Sequence, residues 1–389
     1  VFPVEKRGTA MGLAGIVMSA GPAVGPVVGG AVINTYGWRV MIGSIVPLAR
    51  IVLALGVFML KNVGELCRGV LPGCGKTLVV SDSQVAPLYL KTVITSLKKS
   101  GFDVYSTTFE AGEESKNLTT FSLVCETAAS LGLCRDDAFI ALGGGVVGDL
   151  TGFAAACYMR GVRFVQIPTT LLAAIDSSVG GKTAVDLVQG KNLVGAFHQP
   201  VGVFFDPSVL KTLPENEWKN GLGEGIKYAI LCGGKTFDLL QSGLNKTDLS
   251  EFCYLCAKYK AEIVEKDEKD LGLRQLLNLG HTVGHATEKL SSYKIPHGKA
   301  VAFGIKTMAL ASKNAGILSA CEYEKITDLL EKYGLLFDLP YTSEQIAEAS
   351  HGDKKNRSDG LNAVVINGIG DCSIEKTTLE KFGEYIKCR

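Results

Sequence analysis

The sequence predicts an α/β unit with a mostly parallel sheet, followed by an α-helical domain and preceded by a pair of apolar, membrane-type helices. Three observations predict it. Short β-rich runs alternate with helical patterns from about Glu65, strand patterns nearly vanish after Pro214, and two long apolar stretches stand before Lys61. The expected division is therefore 1–64, 65–214 and 215–389. Across 389 residues, 47% hydrophobic composition is ample for a folded core. The 40 basic residues balance 39 acidic ones, which argues against nucleic acid as a partner and leaves any anion binding to local sites. Eleven cysteines, an odd number without paired spacing, predict reduced thiols and a cytoplasmic catalytic region. The lone Cys253-x-x-Cys256 reads as packing thiols, because a zinc ribbon needs a second such pair.

In the first segment, Gly8 to Ile33 carries no charge, and Val40 to Leu60 is broken only by Arg50. Each run reaches the roughly 20 residues that span a hydrocarbon core, so residues 8–60 imply membrane association. The order of features does not match a signal peptide. GPAVGPVVGG, followed by NTYGWR and the second run, resembles the antiporter motif of drug-efflux transporters of the major facilitator superfamily. Two helices cannot build the paired repeats between which such transporters bind substrate, so transport by this chain alone is not expected. Arg50 would cost about 2.5–3.5 kcal/mol facing lipid. A chain opening on Val1 with this segment reads as a fragment or fusion.

Beyond Glu65, Leu78–Val80 reads as a buried strand, Val85–Ser100 as a helix, Val104–Thr108 as a strand and Leu118–Leu131 as a helix. Further strands are expected at Ala138–Leu142, Phe164–Ile167 and Val201–Phe205. Gly143-Gly144-Gly145-Val146-Val147-Gly148-Asp149 follows one strand and opens a helix, the Rossmann-like arrangement in which free amides accept a pyrophosphate. Gly75-Lys76-Thr77 mimics the end of a P-loop, but Val70 stands where its first glycine belongs. Gly180-Gly181-Lys182-Thr183 and Gly190-Lys191-Asn192 place two lysines in what read as glycine-rich loops, after Thr169, Thr170 and Asp176. Such lysines suit an anionic ligand.

Of five histidines, His281, His285 and His297 fall close together. His281 and His285 lie one helical turn apart, a spacing that suits a metal, although Thr282 stands where a zincin carries its glutamate. Glu224, flanked by Gly223 and Gly225 and followed by Lys227, is the candidate carboxylate ligand.

The blocks GGGVVGDLTGFAAACYMRGVRFVQIPTTLLAAIDSSVGGKTAV, GKNLVGAFHQP, LKTLPENEW, GLGEGIKY, DEKDLGLRQLLNLGHTVGHATE, PHGKAVA and DKKNRSDG resemble, in order, the signatures of the 3-dehydroquinate synthase family, from about Glu65 onward. The resemblance implies an NAD-binding α/β domain, a helical metal-binding domain and an active site between them. It implies Glu224, His281 and His297 as ligands of Zn2+ or Co2+, with His285 on the substrate side. Cofactor contacts map onto Asp82, Glu113, Lys116, Gly144, Gly145, Asp149, Thr169, Thr170, Lys182, Lys191, Thr212 and Glu217. Catalytic and substrate contacts map onto Asp176, Lys182, Lys191, Asn192, Lys227, Lys260, Arg274, Asn278, His285 and one of Lys354 or Lys355. Arg160 corresponds to a residue that reaches a neighbouring subunit, which implies a homodimer.

The implied reaction takes a seven-carbon keto-sugar acid phosphate through transient oxidation by NAD, phosphate elimination, re-reduction and intramolecular aldol closure. Two departures stand out. Gly223 and Gly225 replace the family's Ala and Val around the ligand Glu224, which predicts a less rigid ligand, and the family's opening strand segment is missing, which predicts an exposed sheet edge. Competing readings are a sister cyclase such as 2-deoxy-scyllo-inosose synthase, an iron- or zinc-dependent alcohol dehydrogenase of related fold, and a membrane transporter fragment.

Overall fold

Helix α1 (Val63–Val70) leads into strand β1 (Lys76–Asp82), and then α2 (Lys91–Lys99), β2 (Asp103–Phe109), α3 (Leu118–Ser130), β3 (Ala138–Gly143), α4 (Gly145–Cys157) and β4 (Arg163–Pro168) follow in alternation. The computed structural model describes residues 60–350 and 361–387. After β4 come strands β5 (Lys182–Leu187), β6 (Gly190–Phe197) and the two-residue β7 (Gly202–Val203). The main sheet is parallel, in the order β2-β1-β3-β4-β7, with Thr77 opposite Ala138 and Ala138 opposite Arg163.

The two-residue period of the strands feeds two cores, one on each face of the sheet. Leu78, Val80, Phe139 and Ala141 pack with Val124 and Ala128 of α3 and Val147 and Leu150 of α4. Val79, Ile140 and Leu142 point the other way, toward Cys67 of α1, Val93 and Leu97 of α2 and the helical domain. Every residue of β3 is buried, which explains why its sequence is an unbroken apolar run. Each fully buried aliphatic side chain here contributes roughly 1.5–3 kcal/mol. At one edge, β2 buries only Val104 and Phe109 and leaves its other positions partly or fully exposed. Its outer side has no strand partner among the described residues.

Three expectations need correction. The lysine loops at 180–192 are largely a hairpin, in which Lys182 opens β5 and Lys191 and Asn192 lie in β6. Val201–Phe205 contracts to Gly202–Val203. Helices α5 (Glu215–Cys232), α6 (Gly234–Ser242), α7 (Lys246–Lys266), α8 (His281–Leu290), α9 (His297–Asn314), α10 (Ala320–Lys332) and α11 (Ser343–Ser350) form the second part, but it is not all-α. An antiparallel hairpin, β8 (Leu361–Gly368) and β9 (Asp371–Thr377), precedes the last helix, α12 (Leu379–Ile386). Leu361, Ala363, Val364 and Ile366 join the helical core, so a single apolar strand substitutes for a helix face there.

The two apolar runs of the N-terminal segment lie outside the described residues, apart from Leu60 at the end of the second. Among the described residues no helix is long and apolar enough to cross a membrane. Leu60 is buried, and its N–H donates to Asp206 Oδ2 at 2.8 Å. Ser96 Oγ donates to the Lys61 carbonyl at 2.9 Å and accepts from the Gly64 N–H at 2.9 Å, so the packed fold already includes residues upstream of Glu65. The ten described cysteines are all free thiols, with Cys253 and Cys256 buried in the core, where burial pushes both thiols up.

Candidate active site

A cleft of about 1540 Å³ runs from the C-terminal ends of β1, β3 and β4 to the N-terminal ends of α8 and α9. This is where a doubly wound sheet offers its strand ends and helix amides to a ligand. On the sheet side it is lined by Asp82, Glu113, Lys116, Gly144, Gly145, Asp149, Thr169, Thr170, Thr212 and Glu217. Asp176, Lys182, Lys191, Asn192, Asn278, His281, His285 and His297 line the rest.

The α4 entry is shaped for a ligand that approaches the backbone closely. Gly144 is the extended N-cap of α4, and a Cβ there would stand 3.0 Å from Thr170 Cγ2. The buried Thr169 hydroxyl beside this turn has no hydrogen-bond partner among the described residues, an unsatisfied group that a bound molecule would complete. Lys116 Nζ lies 2.6 Å from Asp149 Oδ2 and donates to Asn192 Oδ1 at 2.6 Å. Burial pulls this ammonium down, but the charges of Asp149 and Glu113 outweigh burial and hold it above its ordinary range. The hairpin β5–β6 is thereby tied to α4.

On the helical side, α5 carries Glu224, fully buried, and α8 and α9 each begin with a histidine. Glu224 Oε1 lies 3.2 Å from His281 Nε2 and 3.0 Å from His297 Nε2, and the three ligand atoms lie within 4.8 Å of one another. One carboxylate and two imidazoles are a donor set suited to Zn2+ or Co2+ with positions left open. The glycine before Glu224 has a packing role. A Cβ on Gly223 would fall 2.0 Å from the Gly298 carbonyl oxygen, so the missing side chain is what lets α5 press against the turn that carries His297. Burial pushes His281 down to about 4. His297 is opposite: burial lowers it, yet hydrogen bonds to Glu224 and Glu288 prevail and raise it to about 10.

Behind the cleft wall sits a buried charge network. Lys227 Nζ lies 2.5 Å from Glu224 Oε2 and 3.9 Å from Asp176 Oδ1. Lys260 Nζ lies 2.7 Å from Asp176 Oδ1 and donates to its backbone carbonyl, while the Tyr228 hydroxyl donates to Oδ1. For Asp176 burial acts upward, but Lys227 and Lys260 overcome it and hold the carboxyl well below its usual range. Arg274, almost wholly buried, donates to the carbonyls of Gly180 (2.9 Å) and Glu268 (2.6 Å), and its Nε has no protein partner among the described residues. Gly180 has φ +102, and a Cβ there would stand 2.6 Å from Arg274 Nη2. Lys182 Nζ pairs with Asp270 Oδ2 at 2.7 Å.

Glu224, Lys227, Lys260 and Arg274 thus stand behind the cleft surface rather than on it. Arg160 is exposed in the turn after α4 and does not line the cleft. Lys354, with its alternative Lys355, lies outside the described residues. Residues not singled out from the sequence also belong here. Tyr228 buttresses Asp176, Asp270 pairs with Lys182, and Glu288 meets His297. Glu288 was readable in principle, since His281, His285 and Glu288 share one face of α8 at spacings of four and three.

Family models for the N-terminal and C-terminal parts of 3-dehydroquinate synthase match residues 106–220 and 221–356. A major facilitator superfamily model matches residues 1–81, running on through α1 and into β1. The chain is 42% identical to the 3-dehydroquinate synthase of Clostridium acetobutylicum, over 84% of this chain and 92% of that protein. It is 47% identical to that of Desulforamulus reducens, over 78% and 88%. Among solved structures, 2-deoxy-scyllo-inosose synthase with carbaglucose-6-phosphate, NAD+ and Co2+ superposes with a TM-score of 0.74 at 28% identity, covering 84% of this chain and 94% of the other. The 2-epi-5-epi-valiolone synthase of Streptomyces hygroscopicus, with NAD+ and Zn2+, also gives 0.74, at 25% identity over 80% and 89%.

Proposed function

The chain belongs to the 3-dehydroquinate synthase family, and from that membership we propose how the cleft divides the work of the reaction. The activity is conversion of 3-deoxy-D-arabino-heptulosonate 7-phosphate to 3-dehydroquinate and phosphate, the ring-closing step of the shikimate pathway. The sister cyclase remains the nearest alternative, and identity decides between them: 42% and 47% to the dehydroquinate enzymes against 28% to the inosose synthase.

The single observation that carries the site assignment is convergence. The glycine turn of α4, the Glu224–His281–His297 cluster and the lysines of the hairpin belong to one cleft and its immediate wall. Gly144, Gly145, Thr169 and Thr170 would hold the pyrophosphate half of NAD, and the unsatisfied Thr169 hydroxyl fits that task. Glu224, His281 and His297 would hold the divalent ion. When bound, these two groups supply a reversible hydride acceptor and the Lewis acid that acidifies a substrate hydroxyl.

Lys182, exposed to the cleft, and Arg274 behind it give the anionic substrate its countercharge. Asn278 and His285 face the same space, where His285 is placed to move a proton at the reacting centre. Lys227 and Lys260 clamp Asp176 so that it stays ionised and fixed. Arg160 is assigned to the cleft of a second copy, which makes the active form a homodimer. Sedimentation of the protein under assay conditions tests this, and a monomer turning over at the full rate would overturn it.

Turnover measured as phosphate release should require added NAD after cofactor removal, and the absorbance of NADH should stay flat because the hydride returns. NADH accumulating in step with substrate loss would instead identify a dehydrogenase.

A further inference from the structure

The two candidate histidine ligands present the same ring nitrogen to Glu224, and they are oriented in different ways. His281 Nε2 lies 3.2 Å from Glu224 Oε1, and its Nδ1 lies 3.1 Å from the Leu279 carbonyl oxygen. His297 Nε2 lies 3.0 Å from the same Oε1, and its Nδ1 lies 3.3 Å from Glu288 Oε2. A neutral imidazole binds a cation through the nitrogen that carries no proton, so the other nitrogen must hold the proton and needs an acceptor. For His281 that acceptor is backbone, which no substitution removes. For His297 it is a side chain.

Glu288 is 5% exposed and sits two turns along α8 from His281. It is therefore a buried carboxylate that reaches across to the first residue of α9. His285, Glu288 and His297 also form a second cluster with ligand-type atoms within 4.8 Å of one another. The two clusters share His297. A second cation would need His297 Nδ1 unprotonated while Nε2 is already committed, which requires an imidazolate; donation of an Nδ1 proton to Glu288 requires nothing further.

We propose that Glu288 is a positioning residue for the metal centre, fixing His297 in the Nδ1–H tautomer and aiming its Nε2 at the ion beside Glu224 and His281. The inference rests on the assignment of those three residues as metal ligands. It adds a residue whose loss weakens the site without removing a ligand.

The test uses the full chain, stripped with chelator and titrated with Co2+ alone. Glu288→Ala should bind Co2+ roughly 10- to 100-fold more weakly than wild type, at one ion per chain in both. Glu288→Gln keeps an acceptor oxygen and the side-chain volume, so it should fall between them. It also serves if the alanine variant fails to fold. In the Co2+ protein, two exchangeable imidazole N–H resonances should be shifted by the paramagnetic ion. In Glu288→Ala the one from His297 should broaden by exchange with water while that from His281 persists, a selective change that a general loss of structure would not give. Equal Co2+ affinity with both resonances intact in Glu288→Ala would overturn the proposal. So would a second ion per chain whose binding is lost with Glu288. If wild type itself binds no Co2+, or His297→Ala binds it as wild type does, the ligand assignment fails instead, and the two failures are distinguishable.

Discussion

Replacing His281 by alanine is expected to strip the chain of its divalent ion and to lower turnover by roughly a thousandfold or more, about 4 kcal/mol of transition-state stabilisation. The reason is geometric. Among the described residues, Glu224, which is fully buried, converges with His281 and His297, and a centre with two remaining protein ligands holds its ion poorly. His285→Ala is the contrasting substitution. His285 lies on the same helix face but is not one of the two histidines that converge with Glu224, so that variant should keep its metal and lose turnover. Metal analysis and phosphate-release kinetics on both variants decide the matter, and a His281→Ala protein with full metal and normal rate would sink the ligand set. Metal affinity of the wild type should also rise with pH. His297, held protonated up to about 10 by Glu224 and Glu288, must release a proton from Nε2 before it can bind an ion there, and that proton competes more strongly as pH falls.

The second large effect concerns stability. Lys227 is 1% exposed, and its ammonium faces the buried carboxylate of Glu224 and the Asp176 carboxylate. Lys227→Met keeps most of the volume and removes the charge, leaving Glu224 buried without its closest cation. Breaking such a pair by deleting one partner costs about 3–5 kcal/mol. Denaturant unfolding of the chelator-treated protein at neutral pH should show a loss of that size. Lys235→Met, which breaks the exposed pair with Glu251, should cost about 0.5 kcal/mol or less and serves as the control. The sign with pH follows from the carboxylates. Both are depressed in the folded protein, so their stabilising contribution is full above the ordinary carboxylate range and is lost as pH falls through the folded values. The deficit of Lys227→Met should therefore shrink on acidification, as its orphaned carboxylates take up protons. A Lys227→Met protein as stable as wild type at neutral pH would show that the network contributes little to folding.

Much of this protein is determined by local sequence. The short apolar run Ala138–Gly143 suits a central parallel strand buried on both faces, and the glycine turn after it suits a helix start that a ligand can approach closely. The spacing of His281 and His285 fixes a shared helix face before any folding is considered. Other features depend on pairs distant in the chain. The lysines at 182 and 191 read as loop residues because glycine frequency masks a strand, and only pairing of β5 with β6 makes them a hairpin. Glu224 meets His297 across 73 positions because Gly223 and Gly298 let two helix backbones touch, a closeness that no single-segment pattern encodes. Glu288 acquires its partner only when α8 and α9 pack side by side. Periodicity reports which face of an element is apolar and suited to burial, since the direction of successive side chains is set within that element alone. Which buried charge meets which is settled by the packing of elements against one another, because Coulomb and hydrogen-bond terms act over a few ångströms in space, whatever the separation along the chain.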